Sequence, residues 1–129
     1  MTQTRSFAHT PRSVTSARRF ATEALQDAPA EALDAIALMV SELASNCIRH
    51  TNTGFDLTIN QTEHEIRVEA TDAATRQPRM RTPGPDDPDG RGLQIIDMLA
   101  TKWGVEPVPG DGKTVWFTIR LAPVAGSRH

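Results

Sequence analysis

The chain has 129 residues, 38% hydrophobic and 23% charged, with a formal net charge of −2 and an isoelectric point near 6.1. That length suits one domain with one core, and the balance of charge argues against a basic nucleic-acid footprint or a polybasic membrane surface. A single cysteine, Cys47, excludes an intramolecular disulfide framework and a multi-cysteine zinc site; with no apolar run near the roughly 18 residues of a membrane span and no secretory signal, a soluble, cytoplasmic, single-domain protein is expected over residues 1–129.

In chain order, one edge strand is expected around residues 4–8. Residues 13–27 then read as an amphipathic helix, with Val14, Ala17, Ala21, Ala24 and Leu25 three or four apart. Ser13 is its expected N-cap. Pro29 restarts the chain, and a longer helix is predicted from about Ala30 to His50. Leu33, Ile36, Ala37, Val40, Leu43 and Cys47 form its apolar stripe. Leu38 falls on the opposite face, which suggests a second contact there, with the first helix. The run from Thr51 to Gly54 ends the helix.

The period then changes from 3.6 to 2. Phe55, Leu57 and Ile59 alternate with polar residues, as do Ile66, Val68 and Ala70 after a polar turn, which predicts an antiparallel hairpin. Residues 74–89 hold four prolines and no apolar periodicity, the pattern of a long functional or disordered loop. A third helix is expected from about Gly92 to Lys102, burying Leu93, Ile96, Leu99 and Ala100. A strand follows over residues 103–108. After a Pro-Gly-Asp-Gly turn, a last strand over residues 113–121 carries Val115, Phe117, Ile119 and Leu121 on one face. Strands and helices that do not alternate one for one indicate an α+β fold with helices layered on one face of the sheet.

Three places carry chemistry. Glu42, Asn46 and His50 recur every four residues and so line one helix face, at the margin of the apolar stripe where a pocket wall would run. A carboxylate there can accept a proton, and an amide oxygen is a hard ligand suited to Mg²⁺. Three polar residues alone read first as a solvated helix face. Asp72 shares the parity of Ile66, Val68 and Ala70, so it points inward and needs donors. A purine's exocyclic amine or the N-terminus of a neighbouring loop would supply one. Gly90-Arg91-Gly92 opens the third helix, where backbone N–H groups and the helix dipole suit an anion. By itself that pair of glycines equally reads as a flexible lead into the helix. Gly112-Lys113-Thr114 looks like the end of a phosphate-binding loop, but that pattern needs glycine where Pro107 stands. The four histidines have no metal-ligand spacing, and Cys47 reads as a small core residue.

Taken together the parts are more specific. The helix reads Glu42-Leu-Ala-Ser-Asn46-Cys-Ile-Arg-His50, then come a hairpin ending in Asp72, a proline-rich loop, Gly90-Arg-Gly-Leu93, and Gly112-Lys-Thr-Val-Trp-Phe117 on the last strand. This resembles the GHKL (Bergerat-fold) ATP-binding superfamily, and within it the short anti-sigma-factor serine-kinase branch of histidine-kinase-like ATPases. The resemblance covers about residues 13–121. It implies a two-layer α/β sandwich on a mixed, mostly antiparallel sheet, with ATP and Mg²⁺ as cofactors. It implies Asn46 as Mg²⁺ ligand, Glu42 as general base, Asp72 as acceptor for the adenine amine, and Gly90, Arg91 and Gly92 at the phosphate-binding turn. Residues 74–89 would be the ATP lid.

The implied function is a protein-serine/threonine kinase that switches partners. It would bind a sigma factor or similar regulator and phosphorylate an anti-anti-sigma antagonist, without contacting nucleic acid or membrane. A homodimer is left open. The alternative is a nucleotide-binding module that sequesters its partner without phosphoryl transfer. Two departures stand out. No glycine follows Asp72 in the run Asp72-Ala-Ala-Thr-Arg-Gln-Pro78, so backbone approach to the nucleotide is tighter there and a modest affinity is expected. The family's last-strand threonine usually follows its glycine directly, whereas here Lys113 intervenes and Thr114 takes the opposite parity.

Overall fold

The computed structural model describes residues 1–72, 88–108 and 112–121. Its elements run β1 (Thr2–Phe7), α1 (Arg12–Ala24), α2 (Ala30–His50), β2 (Phe55–Gln61), β3 (Glu65–Asp72), α3 (Pro88–Leu99), β4 (Lys102–Pro107) and β5 (Lys113–Arg120). The strands form one sheet in the order β1-β2-β3-β5-β4, and the expected α+β sandwich is what forms.

Strand alternation decides which face is buried. Phe55, Leu57 and Ile59 of β2, Ile66, Val68 and Ala70 of β3, and Val115, Phe117 and Ile119 of β5 all enter one core. Direct pairing of Ile66 with Ile119, Val68 with Phe117 and Ala70 with Val115 keeps them on one side. Ala17, Phe20 and Ala21 of α1, Ile36, Met39, Val40, Leu43, Ala44 and Cys47 of α2, and Ile96 of α3 cover that face; Ala37 of the expected stripe lies outside this core, and Met39 and Ala44 join it. The other face carries polar pairs: Thr4 with Thr58 at 3.0 Å, and Ser6 donating to Asp56 at 2.6 Å.

Several expectations need correction. All four strand pairings are antiparallel, where a mixed, mostly antiparallel sheet was expected. By these pairings β4 runs parallel to β3, but β5 lies between them, so no parallel pair is adjacent. The edge strand begins at Thr2 rather than near residue 4, because its ladder to β2 and not its own polar sequence defines it. Ser13 does not cap α1. Its hydroxyl lies within the first turn and donates to the Ala8 carbonyl at 2.6 Å, while Pro11 occupies the cap position. Leu38 is 46% exposed and lies outside the core cluster; α1 meets α2 close by, where Arg18 Nη1 donates to Ser41 Oγ. The third helix starts at Pro88, not Gly92, since proline suits a first helical position and both glycines are absorbed into the opening turns. It also ends earlier, leaving Leu99 exposed.

Candidate functional site

The site is built where α2 packs against β3. Continuous helix from Ala30 to His50 keeps Glu42 and Asn46 one turn apart on one face. Glu42 is half-buried. Asn46 is buried at 8% exposure, and its Oδ1 has no hydrogen-bond partner among the described residues. Leaving a buried carbonyl-type oxygen unpaired costs about 1–3 kcal/mol. Trp116 Nε1 and Thr118 Oγ1 are likewise unpaired, but both belong to the sheet face turned away from the helices. On the helical side the unpaired oxygen is that of Asn46. A hard, unpaired amide oxygen fits one position in a Mg²⁺ shell. No cluster of three His, Cys, Asp or Glu side chains surrounds it among the described residues, so nucleotide phosphates and water would have to complete the shell.

Asp72 ends β3 on the core parity and is 2% exposed. Its direct partner on β5 is Lys113, whose Nζ lies 3.1 Å from Asp72 Oδ2. Lys113 shares its parity with Val115, Phe117 and Ile119, so strand alternation already held the signal that its side chain belongs to this site. Thr114 points the other way: its hydroxyl and that of Thr71 share a hydrogen bond of 2.8 Å on the outer face. Gly112 precedes the pair, and a Cβ there would collide with the backbone carbonyl of Asp72. Glycine therefore lets β5 close on β3 at this point.

Cys47 ties the helix to the two charges. Its thiol is pushed up to about 12 by burial first and by the Asp72 carboxylate second, with Lys113 opposing. Both charges are thus close enough to act on the thiol. α2 packs against β3, which brings the helix that carries Asn46 to the strand that ends in Asp72.

Gly90, Arg91 and Gly92 are the third, fourth and fifth residues of α3, and the Gly90 N–H falls among those that lack an intrahelical acceptor. Side chains at this point, and most of the expected lid at residues 74–89, lie outside the described residues. The helix itself packs beside α2 through its buried Ile96. Among the described residues, no helix is long and apolar enough to cross a membrane.

Residues 7–119 match the histidine kinase-like ATPase domain family. No curated protein gives a significant match. The chain belongs to the histidine kinase-like ATPase domain family, within the GHKL superfamily, and is an ATP-binding module of that type.

Proposed function

We propose that this ATP-binding module is a protein-serine/threonine kinase acting as an anti-sigma-type partner-switching regulator. The observation that carries the reading is the unpaired, buried Asn46 Oδ1 one helical turn beyond the half-buried Glu42, on a helix that packs against the strand ending in the buried Asp72. In this reading Asn46 would hold Mg²⁺, which would supply positive charge to offset that on the transferring group. Asp72 accepts from the adenine amine. The Gly90 N–H, in the open first turn of α3, receives a phosphate oxygen, with Arg91 and Gly92 following it at the same helix end.

Glu42 takes the proton from an incoming serine or threonine hydroxyl. A P–O bond forms to that oxygen as the bond from the γ-phosphorus to ADP breaks. The substrate is an anti-anti-sigma antagonist, and the partner released or retained is a sigma factor or similar regulator.

Incubation with γ-labelled ATP, Mg²⁺ and candidate antagonists tests this. Label on a serine or threonine of the antagonist is expected. Nucleotide binding with no label on any antagonist would overturn the kinase reading and leave the alternative, a module that sequesters its partner without phosphoryl transfer.

A further inference from the structure

We infer that Lys113 is a second base-recognition residue, its ammonium donating to N1 of a bound adenine while Asp72 accepts from the exocyclic amine. This rests on the reading of the site as an adenine-nucleotide site. Lys113 and Asp72 are direct partners across β5 and β3, and their side chains already meet, Nζ to Oδ2 at 3.1 Å. The carboxylate is buried, whereas the lysine side chain is 36% exposed, so lysine is the part of the pair that solvent reaches. An ammonium has three donors and a carboxylate about four lone-pair positions. One contact with the carboxylate leaves the Lys113 ammonium with donors for a ligand.

Side by side, the pair offers an acceptor next to a donor. The pairing edge of adenine offers the complement, the N6 amine next to the N1 acceptor. Hypoxanthine in the same pose sets a carbonyl against the carboxylate and an N1–H against the ammonium, and is rejected. Thr114 cannot take this role, because its hydroxyl is bonded to Thr71 on the opposite face. The pair is also neutral as a unit, so covering it with an uncharged ring costs less than covering a lone carboxylate.

The test is calorimetric titration of the full chain with ADP and with 1-deaza-ADP, in which N1 becomes C–H. Wild type should bind the 1-deaza analogue about tenfold or more weakly, the scale of one charged hydrogen bond. Lys113→Met should bind ADP more weakly by a similar factor and treat the two nucleotides alike. Circular dichroism and thermal melting establish that the variant is folded. If it is not, Lys113→Gln replaces it, with a discrimination ratio expected below that of wild type. An unchanged ratio in whichever folded variant is used overturns the inference. Failure of wild type to bind ADP at all would instead sink the underlying nucleotide-site reading.

Discussion

Thr71 and Thr114 share a hydrogen bond of 2.8 Å on the sheet face that the helices leave uncovered. One residue further along each strand, on the opposite face, Asp72 meets Lys113. The register that gives the pocket an ammonium therefore withdraws the threonine hydroxyl from it. Thr114→Val should leave nucleotide affinity unchanged, yet lower unfolding stability by about 1–3 kcal/mol, because the Thr71 hydroxyl loses its partner. The double variant Thr71→Val/Thr114→Val should recover most of that loss. Urea unfolding of the four proteins checks both statements, and a large fall in ADP affinity for Thr114→Val would contradict the assignment of faces.

Asn46→Leu separates stability from binding. Removing an unpaired buried oxygen at similar volume should leave the melting temperature of the nucleotide-free protein unchanged or a few degrees higher. The same change should cost tenfold or more in Mg²⁺-dependent nucleotide affinity. A less stable variant that still binds nucleotide with Mg²⁺ would reverse the picture.

Some of this was legible in the residues and some was not. The α2 stripe and the alternation of β2 and β3 each had a period strong enough to place Glu42, Asn46 and Asp72. The first strand had no such signal: Thr2, Thr4 and Ser6 are polar on one face and Gln3 and Arg5 on the other, so only pairing with β2 locates it. Gly90 and Gly92 read as breakers, but a helix opened by Pro88 tolerates them near its start. Lys113 stood in plain alternation with Val115. Its partner could not be read, because the β3–β5 register is set by tertiary packing and not by a short turn.

Gly112→Ala should disturb the site itself. The added Cβ meets the backbone carbonyl of Asp72, which cannot rotate away, so the start of β5 must shift from β3. A stability loss of about 1–3 kcal/mol is expected, together with weaker nucleotide binding. Gly104→Ala is the control. Its Cβ would come within 2.9 Å of the Trp116 ring on the outer face, so it should lower stability with nucleotide affinity intact. Equal effects of both variants on affinity would show that Gly112 has no local role.

Cys47 predicts a pH dependence. Its thiol stands at about 12 in the folded chain against an ordinary value of 9.0, so the native state keeps a proton that the unfolded chain releases. The resulting stabilisation is complete below about pH 9 and is lost as pH rises toward 12. Cys47→Ala should flatten the alkaline decline of stability measured by urea unfolding between pH 8 and about 10.5. The native thiol should also resist alkylation at pH 8 until the protein unfolds. Rapid labelling of the folded protein would contradict its burial.

Glu42 tests chemistry apart from binding. It lies one helical turn before Asn46, so in the proposed reading its carboxylate and the Asn46 oxygen address the same end of a bound nucleotide. No hydrogen bond or ion pair among the described residues occupies Glu42, which leaves its oxygens available to an incoming hydroxyl. A positioned general base contributes about 10²–10⁴ in rate. Glu42→Gln keeps the shape and removes the basicity. It should hold nucleotide affinity within a few-fold of wild type while phosphoryl transfer falls by about that factor. Partner binding should persist, since in the proposed reading it does not depend on this proton. Single-turnover transfer from labelled ATP, alongside ADP titration, reads the two effects separately. Transfer at the wild-type rate by Glu42→Gln would remove Glu42 as the base, whereas parallel loss of affinity and transfer would make it a ligand-positioning group.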